Sequence, residues 1–86
     1  MQSPEEQFRI RRFTLLSGED LTLYCRLLKV RTGLAATYRL YEDAQGLQWM
    51  EIAMNDTSYL EPLTDTSFEQ QVAAEMLVLG VNKYSG

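Results

Sequence analysis

The stretch TYRLYEDAQGLQWMEIAM, residues 37–54, decides how this chain is read. Side-chain character alternates on both sides of DAQG, which is the two-residue period of a strand and not the 3.6-residue period of a helix. DAQG itself matches a type I turn ending in a left-handed glycine, the three-residue hairpin loop with a bulge. With Ala44-Gln45-Gly46 as the loop, Tyr41 lies opposite Trp49, Arg39 opposite Glu51, Leu40 opposite Met50 and Tyr38 opposite Ile52. One face then holds Tyr38, Leu40, Met50 and Ile52. The other holds an aromatic pair and an ion pair, so a tyrosine and the only tryptophan stand on the face that ought to meet water.

Strand-like segments extend the pattern on the N-terminal side. Residues 8–16, 20–30, 35–43 and 47–54 read as four strands, with turn residues between them. In SGED, Gly18-Glu19 suits a two-residue turn, and Thr32-Gly33 suits another. Those turns set Phe13 beside Tyr24, Tyr24 beside Tyr41, Arg11 beside Arg26 and Arg26 beside Arg39, with Cys25 beside Leu40 and Leu27 beside Tyr38. The outer face is therefore expected to carry an aromatic row, Phe13–Tyr24–Tyr41–Trp49, alongside a charged row, Arg11–Arg26–Arg39–Glu51. Cross-strand aromatic pairs contribute about 0.2–1 kcal/mol each to a sheet. Four in line beside three arginines exceed what sheet stability requires. The same alternation turns Arg12 inward beside Cys25, a guard against edge-to-edge pairing.

Residues 55–65 read as a loop containing Pro62, followed by a helix from Ser67 to Leu79. Thr66 serves as its N-cap with Glu69 reaching back. Phe68, Val72, Met76 and Leu79 recur at helical spacing, and Gly80 is a natural stop. The expected fold is α+β: a four-stranded antiparallel β-meander with a C-terminal α-helix packed on one face. A rival reading makes residues 18–32 helical, giving β-α-β-β-α. Ser17 would cap that helix, Gly33 would end it, and Leu21, Tyr24, Cys25 and Leu28 would form its apolar stripe.

Composition bounds the rest. With 86 residues, 45% of them hydrophobic and 23% charged, the chain reads as one compact domain over residues 8–86 with residues 1–7 as a flexible arm. A domain of this size hides only about 60–65% of the surface its unfolded chain exposes, so a partner or a second copy would add appreciable stability. The net charge of −4 conceals segregation. Residues 8–41 hold Arg9, Arg11, Arg12, Arg26, Lys29, Arg31 and Arg39 against Glu19 and Asp20, whereas residues 42–86 hold Lys83 against eight acids. Halves of opposite sign suit either mutual attraction or two different partners.

Chemistry is scarce. The chain has no histidine and one cysteine, Cys25, so His-dependent triads and an internal disulfide are excluded. Cys25 lies among leucines and reads as a small buried hydrophobe. The five glycines are scattered singly and match no phosphate-binding spacing. Asn55-Asp56-Thr57 fits a glycosylation sequon but reads as a polar turn, and Asp56, Glu61 and Asp65 match no calcium loop. No cofactor and no metal are expected, nor is an enzyme. No run approaches a membrane span and the N-terminus is unlike a signal peptide, so a cytoplasmic location is the default and no membrane partner is expected.

What remains is the sheet face. Phe13, Tyr24, Arg26, Arg39, Tyr41, Trp49 and Glu51 have the composition of a protein–protein hot spot, and a non-catalytic adaptor, inhibitor or assembly subunit is the expected function. The partner is another protein or a second copy of the chain. The alternative is a single-stranded nucleic-acid platform, on which bases stack and cations meet phosphates. The acidic pI of 4.6 and the absence of an aromatic RNA-binding motif weigh against it.

Overall fold

The computed structural model describes residues 7–85, with side chains through Val78. The expected arm at residues 1–7 falls almost wholly outside the described residues. Five strands are followed by one helix: β1 (Arg9–Thr14), β2 (Asp20–Thr32), β3 (Thr37–Asp43), β4 (Gln48–Ala53), β5 (Ser58–Leu63) and α1 (Phe68–Ser85). The strands form one antiparallel sheet in the order β1-β2-β3-β4-β5. The class is α+β, with five strands where four were expected, and residues 20–32 are strand throughout, so the helical alternative for 18–32 is excluded.

The additional strand, β5, lies within residues 55–65, the expected loop containing Pro62. A two-residue turn, Asn55-Asp56, is closed by a hydrogen bond from Met54 N to Thr57 O at 2.7 Å. Counting along the ladder from that bond, Pro62 opposite Trp49 falls at a position whose N–H would point away from β4. The missing donor therefore costs the ladder nothing, and proline is accepted on an outer strand.

The β3–β4 hairpin has the expected register: Tyr41 faces Trp49, Arg39 faces Glu51, Leu40 faces Met50 and Tyr38 faces Ile52. The other two hairpins are shifted. Phe13 pairs with Leu21 and Ile10 with Tyr24, because the β1–β2 loop is Leu16-Ser17-Gly18, a three-residue loop like the one at residues 44–46. In both loops the glycine has positive φ, +98° at Gly18 and +87° at Gly46, and donates to the carbonyl three residues back. Between β2 and β3 the loop is Gly33-Leu34-Ala35-Ala36, with Gly33 N donating to Ala36 O at 2.8 Å. The expected Thr32-Gly33 turn is two residues too short. A bulge between Leu27 and Lys29 shifts the register again, so Leu27 faces Tyr41 and Arg26 faces Glu42. Arg12 consequently lies opposite Thr22 and is exposed, and Arg9 stands beside Cys25.

These shifts accompany a strong curl. β2 is 13 residues long, pairing with β1 through Asp20–Cys25 and with β3 through Cys25–Thr32. The strand thus passes a corner, and a bulge in such a strand increases its bend and twist. At the far side Leu15 meets Leu60 in a parallel bridge, so the two outermost strands approach each other. Each face of the sheet therefore holds a buried core. On the outer face α1 covers Ala36, Tyr38, Leu40, Met50 and Ile52 with Phe68 and Val72. Inside the curl, Phe13, Cys25, Tyr41 and Leu60 form a second core, flanked by Leu21, Leu23, Leu27 and Trp49.

The helix begins one residue later than expected, and its cap is shifted accordingly. Ser67 Oγ accepts from Gln70 N, while Gln70 Oε1 accepts from Ser67 N, both at 3.2 Å. This is a reciprocal capping box with Ser67, and not Thr66, as N-cap. Glu69 is left available to pair with Lys29 and Arg31 on β2. Gly80 does not end the helix, which runs on to Ser85; a glycine in a helix costs about 1 kcal/mol, which neighbouring helix formers can bear.

Candidate functional site

The expected aromatic row is not one exposed surface. Phe13 and Tyr41 are 7% and 4% exposed, and their rings meet edge to face across the interior of the curl, with centroids 5.0 Å apart. Arg11 lies over the Tyr41 ring at 5.2 Å, a cation–π contact. Glu51 links two of the remaining residues: Arg39 Nη1 donates to its carboxylate at 3.2 Å and Tyr41 Oη donates to the same oxygen at 3.4 Å. Burial, with the Glu51 carboxylate next in effect, raises the Tyr41 hydroxyl above its ordinary value, so the phenol is neutral. Trp49 is half-buried, and its indole N–H donates to Asp43 Oδ2 at 3.1 Å.

Asp43, which the sequence marks only as the first residue of the DAQG turn, is the residue that organises this region. It is buried, and its Oδ1 accepts from Gln45 N at 2.9 Å and Leu47 N at 3.0 Å. Burial alone would raise its carboxyl, but the hydrogen bonds from Trp49, Leu47, Gln45 and Gly46 outweigh that and hold it below its ordinary value. The signal was the Asp at the first turn position, where its side chain takes the backbone N–H two residues on. Tyr41, Trp49, Arg39 and Glu51 thus have structural partners.

Tyr24 and Arg26 point the other way. They lie on the outer face of β2, where they are joined by Phe8 and Ile10. Phe8 and Tyr24 rings are 5.4 Å apart, and the Arg26 guanidinium lies over Phe8 at 5.3 Å. Ile10, directly opposite Tyr24, is 70% exposed and Tyr24 is 55% exposed. Arg26 is anchored by Glu42 at 2.8 Å, and Arg12, two residues beyond Ile10 on the same face, is exposed. The helix covers the β3–β4–β5 side of the outer face and leaves this β1–β2 corner bare. Phe8 and Ile10 were missed because the expected β1–β2 register was offset by three residues, which turned Tyr24 toward Phe13.

Cys25 is fully buried, and burial pushes its thiol up despite the nearby Arg11 guanidinium, so it is not a thiolate at neutral pH. Among the described residues no group of three or more Cys, Asp or Glu is placed to hold a metal ion, and no helix is long and apolar enough to cross a membrane. Comparison with protein-family models, with curated proteins and with solved structures finds no match to this chain.

Proposed function

We propose that this chain is a non-catalytic protein-interaction module that binds a protein partner through the outer β1–β2 corner, with Phe8, Ile10 and Tyr24 as the apolar centre and Arg12 and Arg26 as its charged rim. The observation that carries this reading is the stacked Phe8–Tyr24–Arg26 group. It holds aromatic surface in water with its geometry already set, so little side-chain freedom is lost when a partner covers it. Tyrosine and arginine with an aliphatic neighbour are the residue types that dominate binding energy at such centres. Arg39, Tyr41, Trp49 and Glu51 lie on the opposite face of the sheet, held by partners of their own, and are not part of this surface.

The test is the double variant Ile10→Thr with Tyr24→Thr, compared with the wild type by pull-down and sedimentation. Both residues are exposed, so the variant should stay folded and lose its partner or its self-association. A folded variant with unchanged mass and partners would overturn the reading. Capture of single-stranded nucleic acid, with affinity falling steeply between low and physiological salt, would replace the protein partner by a nucleic-acid one.

A further inference from the structure

The two long edges of β2 are used unequally. On the side where β1 lies, pairing ends at Arg9 and Cys25. From Arg26 to Thr32 that edge has no strand beside it among the described residues, although the opposite edge is paired with β3. The direction of its backbone groups follows from the ladder. Gly33 N donates to Ala36 O, so Arg31 and Lys29 turn their N–H toward β3, while Thr32 and Val30 turn theirs to the open side. Such an edge is a template for an added strand.

Charge decides which strand. Arg26, Lys29 and Arg31 lie along this segment; on β1, Arg9 stands at its end opposite Cys25, and Arg12 lies further along the ladder, opposite Thr22. Glu42 pairs with Arg26, and the single carboxylate of Glu69 is shared by Lys29 and Arg31. No carboxylate of the described residues pairs with Arg9 or Arg12, so among the described residues the surplus is positive. A second copy added antiparallel about a two-fold axis would set this basic strand against itself, which is unfavourable. An acidic strand is complementary. The Phe8–Tyr24 pair stands at the end of the open edge and gives an added strand an apolar seat.

We propose that the open edge of β2 over residues 26–32 docks an acidic, extended segment of the partner protein, which adds to the sheet in line with β1. This rests on the reading of the chain as a protein-interaction module.

The probe is a synthetic peptide of alternating glutamate and valine with one phenylalanine, set against the same peptide with lysine for glutamate. Each is titrated into the full chain and followed by backbone amide shifts and amide exchange. The glutamate peptide should bind about tenfold or more tightly than the lysine peptide, shift residues 26–32 most, and slow exchange at Val30 and Thr32. Val30→Pro removes an outward donor and spares the β3 ladder, so it should abolish this binding in a chain whose Trp49 fluorescence is native. If that variant does not fold, Arg9→Glu with Arg12→Glu carries the test and should weaken the glutamate peptide about tenfold. Equal binding of both peptides, or an edge already protected from exchange in the free chain by its own residues 1–6, overturns the proposal. Shifts confined to Phe8, Ile10 and Tyr24, unaffected by Val30→Pro, overturn edge docking and leave the β1–β2 surface standing. Shifts at neither place with either peptide overturn both.

Discussion

Trp49 donates its indole N–H to Asp43 across 3.1 Å, from one arm of the β3–β4 hairpin to the carboxylate that organises the hairpin's turn. The same carboxylate accepts from Gln45 N and Leu47 N inside that turn. One buried acid thus joins loop geometry to the second core, and it accounts for a tryptophan on the polar-looking side of an alternating strand. Losing a hydrogen bond to a charged group costs about 1.5–3 kcal/mol.

Asp43→Ala should therefore destabilise the chain by at least about 1.5–3 kcal/mol at neutral pH, as read by urea unfolding. Because the folded-state carboxyl lies below its ordinary value of 3.8, its contribution is present above that value and disappears as pH falls through the lower folded-state one. The acid-side loss of stability should shrink in Asp43→Asn. An Asp43→Ala chain as stable as the wild type would show that the turn does not depend on the carboxylate.

Much of the central hairpin was legible because its turn declares itself. Asp43 and Gly46 set a loop length, the loop length sets a register, and the register sorts Leu40, Met50, Tyr38 and Ile52 to one face. Curvature leaves no such local mark. Whether the face bearing Tyr41 meets water depends on whether Leu15 reaches Leu60, forty-five residues away in the chain. Alternation reports two faces without saying that both are buried. Two nearer signals were misread: LLSG repeats the loop pattern of DAQG, and Pro62 obscured β5 although Tyr59, Glu61 and Leu63 alternate with Ser58 and Leu60.

The repeated loop makes its own prediction. A Cβ at Gly18 or Gly46 would meet nothing within 4 Å, yet both glycines have positive φ. The cost of replacing them is therefore conformational, about 1–2 kcal/mol for an ordinary residue and more for a β-branched one. Gly18→Val and Gly46→Val should both destabilise strongly, and the asparagine variants should be tolerated at both positions. Thermal unfolding of the four variants checks it; tolerance of valine at either site would contradict the loop geometry.

Glu61 should behave oppositely to Asp43. It faces Met50 on the helix side of the sheet, and its Oε2 is buried without a hydrogen-bond partner among the described residues. Burial, then the nearby Glu75 carboxylate, raises its carboxyl above the ordinary value of 4.5. A raised acid binds its proton more tightly when folded, so it favours folding below that ordinary value and loses this contribution as pH rises through the folded-state one. Glu61→Gln should then be more stable than the wild type at neutral pH, with the difference vanishing in acid. A neutral-pH loss of stability in Glu61→Gln would mean that the carboxylate has a favourable partner.

The placement of the proposed binding surface depends on the curl, and the curl is read most directly from the Phe13 and Tyr41 rings. In a flat sheet Phe13, level with Leu21, and Tyr41, level with Leu27, would stand two strand spacings apart across β2 and six residues apart along it, about 20 Å between backbones. In the curled sheet their centroids are 5.0 Å apart. A two-dimensional NOE spectrum of the wild-type chain should show strong cross-peaks between the Phe13 and Tyr41 ring protons, and none from either ring to Tyr24. Absence of the Phe13–Tyr41 peaks, with Tyr24 instead in contact with either ring, would return the aromatic row to one exposed face and contradict the two-core structure.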